Sequence, residues 1–485
     1  MLLLLLGCTG TPADDAPAPL DSGDTAPDPD DTGLVPTTVG SVGDADAALV
    51  GAAAAAVGNA LAFAGDDDGD GYDAALIGAS FLGTTCLLRG PPAPGVAAYA
   101  DADACWLPES NRDYAGQALD GGRDVTGDGV PDVIVGAIAN DELGPESGKA
   151  YVLAGPHTGG ALADATLQFV GEAKGDYAGT SVALLGDIDG DGGGDLLVGS
   201  PSNVGGGSGA GRAYLFRGPM EPGSWNVDAA WASITGEGPA LLHGAPAEGD
   251  GVGSVACAAG DVNGDGLDDV LLGANGNELG GNDAGAAALF HGPVGEGDHR
   301  LGDADQLWIG EAALQYVGDA VAAGGDLDGD GLDDVLVSGG TGGPGTVWIV
   351  SGAGVSGTSP IGAAAVRFEG ETLGDLAGAS VSGAGDTDGD GARDVLIGAY
   401  GHDGAGLDAG AAYLVRGPFA PGVHPLAQAD RAWYGRDQAD EAGRAVAGGG
   451  DLDGDGLGDL LVGAPYADPD EFTAFAGEVY VFLAP

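Results

Sequence analysis

Residues 450–464 read GDLDGDGLGDLLVGA, and the fold follows from that stretch. Counting Asp451 as position 1, carboxylates stand at positions 1, 3, 5 and 9 (Asp451, Asp453, Asp455 and Asp459), with Gly454 and Gly456 at positions 4 and 6. Alternate carboxylates set oxygens on the concave side of a tight loop, and the two glycines supply the positive-φ conformations that such a loop needs. The apolar run Leu460–Val462, bounded by Asp459 and Gly463, has the length and boundaries of a short buried strand. A single copy would be one turn before one strand. The chain carries seven.

The other six copies occupy residues 65–79, 123–137, 186–200, 260–274, 325–339 and 385–399. Their candidate ligands at positions 1, 3, 5 and 9 run as follows. The first loop offers Asp66, Asp68 and Asp70, with Ala74 at position 9 and Asp73 beside it. The second offers Asp124, Thr126, Asp128 and Asp132, and the third Asp187, Asp189, Asp191 and Asp195. Asp261, Asn263, Asp265 and Asp269 form the fourth set, and Asp326, Asp328, Asp330 and Asp334 the fifth. The sixth is Asp386, Asp388, Asp390 and Asp394, and the seventh is the quoted one. Hard oxygens in a flexible loop suit Ca2+, and the position 7 carbonyl adds another oxygen. Up to seven calcium ions are expected, each structural. No soft ligand favours zinc or copper. An EF-hand would need a Glu at position 12, where this chain has apolar residues such as Val198.

Loop spacing runs from 58 residues (Asp66 to Asp124) to 74 (Asp187 to Asp261), a period that marks a repeat architecture. Each unit reads as four short strands. One is a small-residue strand such as SVSGAGD before the loop, and the apolar run follows it. GRAYLFRGP-type and DADQLWIGE-type strands complete the unit. Four-stranded antiparallel units repeated radially are propeller blades. The expected fold is therefore all-β: a seven-bladed β-propeller of four-stranded antiparallel blades. The last repeat stops after its third strand, and GDADAALVG (43–51) matches the fourth-strand pattern of GDADQLWIG (302–310). An N-terminal strand is thus expected to complete the last blade and close the ring, leaving no open sheet edge.

A glycine also recurs eight residues before each loop, at Gly58, Gly116, Gly179, Gly253, Gly318, Gly378 and Gly443. Together with the DxDGDG loop and the Gly-Ala pair after it, this resembles the FG-GAP repeat of the integrin α-subunit propeller and of many bacterial surface proteins. The resemblance covers residues 43–485. Ser338 departs from the Gly-Ala pair, and no RGD tripeptide occurs. The resemblance implies calcium loops on one face and a protein or glycan ligand on the other. Asn140–Ser147, Pro201–Gly209 and Gly238–Gly251 are the candidate contact loops. A monomer is expected.

Residues 1–8, MLLLLLGC, end in Leu-Leu-Gly-Cys, which resembles a lipoprotein signal segment with Cys8 as the lipidated residue. Residues 9–42 are rich in Pro, Asp and Thr and read as a disordered acidic tether. The propeller is assigned to 43–485, and the protein is expected outside the cell, lipid-anchored to a bacterial envelope. No other membrane contact is expected.

A formal charge of -61 disfavours nucleic acid as a partner. Cys86 and Cys105 fall on neighbouring strands and are either bonded or two separate buried thiols; Cys257 reads as an inert buried thiol. The six histidines are scattered, and no G-x-S-x-G, HExxH or Gly-Lys-Ser/Thr motif occurs, so no enzyme is expected. A hydrolase on the propeller scaffold and a purely structural envelope protein are the alternative readings to a cell-surface binding and adhesion module.

Overall fold

The computed structural model describes residues 38–238, 249–340, 343–352, 356–468 and 475–484. The signal-type segment, Cys8 and the tether up to residue 37 lie outside the described residues. Val35–Pro485 form one compact unit. It contains seven sheets in a ring, a seven-bladed β-propeller, and the blades are numbered here in the order of their Asp loops.

Blade 6 illustrates the plan. Its innermost strand is Ser380–Gly385, followed by Asp394–Ala399, Ala411–Val415 and Arg431–Tyr434, all antiparallel to their neighbours. The second strand is buried along its whole length, because the apolar run packs on both faces. The innermost strands use Gly, Ala and Ser, which lets seven backbones approach around the axis.

Each blade holds five strands where four were expected. The fifth is short, outermost and parallel, and is lent by the following blade from the connection between its third and fourth strands. Gly223–Asn226 of blade 3 thus pairs with Leu167–Val170 of blade 2, Gly223 opposite Leu167. These outer strands face solvent; all four residues of Gly95–Ala98 are exposed. They carry no alternating apolar pattern, so periodicity does not reveal them. A one-turn 3-10 helix follows each, and its first residue is driven into the core: Val227, Leu162, Ile361 and Leu426 are at most 1% exposed.

The ring closes as the terminal pattern implies. Ala47–Val50 is the fourth strand of blade 7, antiparallel to Glu478–Phe482 with Ala47 opposite Val481. The chain is ordered further upstream than the expected boundary at 42. Thr38–Ser41 runs parallel to Arg431–Tyr434 as the fifth strand of blade 6, and Val42 is fully buried. Backbone pairing and that one apolar peg order a stretch whose composition alone reads as tether.

The apolar core lies between blades. Leu197, Leu215 and Ile234 of blade 3 pack against Val270, Leu272 and Ala288 of blade 4, and Leu461 and Val479 of blade 7 against Ala75 and Ile77 of blade 1. Each such leucine contributes roughly 1.5–3 kcal/mol by leaving water.

Two recurring glycines make the blade contact close enough. The glycine eight residues before each loop has positive φ, from +79° at Gly443 to +86° at Gly58. Its carbonyl oxygen meets the Gly of the Gly-Ala pair in the preceding blade. A Cβ on Gly136 would stand 2.1 Å from the Gly179 oxygen, and one on Gly398 2.0 Å from that of Gly443. Blade 5, with Ser338, shows the exception: its hydroxyl accepts the Ala320 N–H at 2.9 Å.

Cys86 and Cys105 sit directly opposite each other in adjacent strands of blade 1, bonded, with Cα atoms 4.1 Å apart. Cys257 is a free thiol on the innermost strand of blade 4.

Candidate metal centres

The DxDGDG loops join the first and second strands of every blade, so all seven emerge on one face of the ring. Blade 3 shows how the chain builds one. Asp187 Oδ1 accepts the N–H groups of Gly190 (2.6 Å) and Asp191 (3.1 Å), and its Oδ2 accepts that of Gly192 (2.9 Å). Asp189 accepts from Asp191 N at 3.0 Å, and Asp191 from Gly193 N at 2.8 Å. Side-chain oxygens thus curl the backbone around themselves, with Gly190 and Gly192 at φ of +83° and +89°.

Position 9 is different. Asp132, Asp195, Asp269, Asp334, Asp394 and Asp459 are at most 1% exposed. Asp195 Oδ2 accepts the Ile188 N–H and its Oδ1 the Gly218 N–H, both at 3.0 Å. Each of the other five repeats this fork between loop position 2 and the second residue after the third strand. Burial pushes Asp132, Asp269, Asp334 and Asp459 up to about 6 and Asp195 to about 7, where Asp189 and Asp191 add repulsion. Burial also raises Asp394.

The donor set fits a hard divalent cation. In blade 3, carboxylate oxygens of Asp187, Asp189 and Asp195 lie within 4.8 Å of one another. Asp124, Asp128 and Asp132 do so in blade 2, Asp326, Asp328 and Asp334 in blade 5, and Asp386, Asp388 and Asp390 in blade 6. Calcium takes six to eight oxygen ligands, and such a loop would offer it these carboxylates and the position 7 carbonyl. Thr126 and Asn263 replace the position 3 carboxylate in blades 2 and 4. The Thr126 hydroxyl donates to Asp132 at 3.3 Å, and the Asn263 amide donates to Asp265 at 3.0 Å. Arginines reach position 3 in blades 3 and 6: Arg217 pairs with Asp189, and Arg416 with Asp388 at 3.2 Å.

Blade 1 departs most. Asp66, Asp68 and Asp70 still gather within 4.8 Å, but Ala74 supplies nothing at position 9. Its buried carboxylate is Asp67, at position 2, where other loops place Val, Ile, Leu or Thr. Burial opposes the charge on Asp67, but the Arg89 guanidinium and the His157 N–H outweigh it and hold this carboxyl below its usual range.

Two features escaped the sequence reading. The first links adjacent loops. The position 8 N–H of one loop donates to the position 1 carbonyl of the loop before: Asp73 to Asp451 (2.8 Å), Asp268 to Asp187 (3.1 Å) and Gly458 to Asp386 (2.9 Å). Asp73 therefore serves blade 7, and its carboxylate also accepts the Asp451 N–H at 2.9 Å. The signal is the recurrent Asp at position 8, which reads as a spare ligand when one loop is viewed alone.

The second lies on the opposite face, where strands two and three, and four and one, connect. Asn140, Asn203 and Asn277 donate to Asp113, Asp176 and Asp250, each at 3.1 Å and buried. Each asparagine oxygen also takes a backbone N–H two residues on, at Glu142, Gly205 and Leu279. The pair fixes the base of the loop, and the loop then holds an apolar residue out in solvent: Leu143 is 50% exposed, Val204 65% and Leu279 64%. Leu143 and Val204 belong to the expected contact loops Asn140–Ser147 and Pro201–Gly209, and Leu279 lies in the corresponding blade 4 loop, which was not among those expected. Most of Gly238–Gly251 lies outside the described residues.

The FG-GAP repeat family model matches residues 442–482, the body of blade 7. Over 177 residues the chain is 34% identical to integrin alpha-X of Homo sapiens, covering 35% of this chain and 14% of that protein. It is 32% identical over 177 residues to integrin alpha-PS2 of Drosophila melanogaster, covering 34% and 12%. The matched region thus spans about one seventh or less of these curated relatives. Among solved structures, BBS1N in complex with ARL6DN aligns over 88% of this chain and 92% of that one, at 10% identity and a TM-score of 0.45. Among the described residues no helix is long and apolar enough to cross a membrane.

Proposed function

We propose that this protein is an extracellular binding module, an integrin α-like FG-GAP propeller held rigid by structural calcium. The Asp loops take the ions, and the opposite face takes a protein or glycan ligand. The observation that carries this reading is the partition of the surface. Of the ten large apolar side chains exposed at half or more among the described residues, seven (Leu143, Val204, Leu279, Leu314, Leu373, Leu407 and Phe475) lie in connections on the face away from the Asp loops, and Val39, Val96 and Leu107 lie on outer strands. Exposed apolar residues gathered on one face of a highly acidic protein mark a contact surface. The metal face presents carboxylates and glycines.

Tyr400, Arg444 and Tyr466 extend that face at blades 6 and 7. The Arg444 guanidinium lies 4.7 Å from the Tyr400 ring centre and 5.8 Å from that of Tyr466, and Phe475 stacks edge-on against Tyr466. Tyrosine and arginine held in place in this way are the residue types that dominate binding energy at interfaces. On this reading Cys8 is the lipidated residue that anchors the protein at the cell envelope, and the chain acts as a monomer.

The test is binding of the full chain, in calcium, to immobilised extracellular matrix proteins and glycans. Saturable binding that a Leu143→Asp/Leu279→Asp/Leu407→Asp variant loses, at an unchanged melting temperature, supports the assignment. Binding that survives the triple substitution, or no binding to any surface, contradicts it.

A further inference from the structure

In six blades the loop contains a buried carboxylate without a cation of its own. Asp132, Asp195, Asp269, Asp334, Asp394 and Asp459 accept backbone N–H groups, and among the described residues none pairs with Lys or Arg. A buried, ionised carboxylate is costly until a positive charge meets it.

Blade 1 has solved that within the chain. The buried carboxylate has moved from position 9, now Ala74, to position 2, Asp67, which is 3% exposed. Arg89, at the end of the third strand, reaches it with both arms: Nε donates to Oδ1 at 2.8 Å and Nη2 to Oδ2 at 2.5 Å. The same guanidinium lies 3.1 Å from Asp68 at position 3 and donates to the His157 carbonyl of blade 2 at 2.8 Å. The His157 N–H returns to Asp67 at 2.9 Å. The fork that position 9 makes elsewhere is absent, and Gly90 N–H donates instead to the Asp73 carbonyl at 3.1 Å.

We propose that the blade 1 loop takes no metal ion and is closed instead by Arg89, so that the chain holds six ions rather than seven. The inference rests on the calcium reading of the other loops. Proximity of an arginine does not by itself separate blade 1, because Arg217 and Arg416 approach the loops of blades 3 and 6. Those loops keep the inner carboxylate, Asp195 or Asp394, and in blade 3 Asp195 lies within 4.8 Å of Asp187 and Asp189, where one ion can meet all three. In blade 1 a calcium ion would find three outer carboxylates, one engaged by Arg89, a guanidinium charge beside them, and no carboxylate at position 9. Loss of a ligand charge is the main lever on affinity in such loops, and here it comes with charge repulsion. Bidentate Arg–carboxylate geometry, in turn, gives a closed loop that does not depend on calcium concentration.

The experiment counts ions per chain at calcium saturation by native mass spectrometry. Wild type is expected to carry six. An Asp68→Asn/Asp70→Asn variant of blade 1 is expected to carry the same number, and an Asp189→Asn/Asp191→Asn variant of blade 3 one fewer. Loss of an ion from the blade 1 variant overturns the proposal and leaves the calcium reading standing. A chain that binds no ion, or counts that neither variant changes, overturns the calcium reading itself. Restoring the common pattern with Asp67→Val/Ala74→Asp/Arg89→Ala is expected to add one ion, and a count of six for that variant also overturns the proposal.

Discussion

Gly463 of the last blade faces Gly58 of the first so closely that a Cβ on Gly463 would stand 2.0 Å from the Gly58 carbonyl oxygen. The glycine pairs between neighbouring blades elsewhere in the ring are set at 2.0–2.2 Å by the same measure. A Gly463→Ala substitution is expected to cost about 3 kcal/mol or more, because backbone must shift to admit the methyl group. Thermal unfolding followed by circular dichroism checks it. Ser338→Gly, at the one position that already tolerates a side chain, is expected to change stability far less.

The ring closes through Ala47–Val50, with Leu49 2% exposed against Val479. Leu49→Asp puts a charge in that core and loosens the closing strand, leaving Glu478–Phe482 as an open edge. The expected outcome is a lower melting temperature with concentration-dependent association, read by light scattering. A monomer of unchanged stability would contradict this closure.

Positions 5 and 9 of a loop should behave differently when truncated. Asp195→Ala leaves the Ile188 and Gly218 N–H groups buried without their acceptor, at roughly 1–3 kcal/mol for each. It is expected to destabilise the protein both with calcium and in its ion-free state. Asp191 is exposed and holds only the Gly193 N–H, so Asp191→Ala is expected to cost stability only when calcium is present. Melting curves of both variants in each state make the comparison.

The buried position 9 carboxylates set the response to pH. Burial raises Asp394, and lifts Asp132, Asp269, Asp334 and Asp459 from an unfolded value of 3.8 to about 6 and Asp195 to about 7, so the ion-free folded chain binds more protons than the unfolded one across that window. Stability of the ion-free protein therefore falls as pH rises from about 4 to about 7. Calcium requires the ionised form, so the stabilisation it gives grows over the same interval. Chelex-treated protein is expected to melt higher at pH 5 than at pH 7.5. The calcium-induced increase is expected to be larger at pH 7.5.

The blade count, the places of the Asp-rich turns between first and second strands, and the closing strand could be read from the chain because each leaves a local signature: spaced Asp and Gly, a short apolar run, a strand pattern missing at one end and present at the other. What escaped was relational. Gly223–Asn226 becomes a strand only because Leu167–Val170 of another blade lies beside it, and its solvent-facing residues need no apolar alternation. Asp73 looks like a spare ligand of its own loop until Asp451 of blade 7 is beside it. The exchange of Asp67 for the position 9 carboxylate is written in the sequence, but its meaning depends on Arg89, 22 residues away.

The account stands on calcium holding the Asp loops in shape, and a pair of melting curves at neutral pH, in millimolar calcium and in excess EGTA, tests that directly. Ions that bind the folded chain alone stabilise it by mass action at every occupied loop. The melting temperature is expected to drop sharply on chelation. Superimposable curves in the two buffers would contradict it.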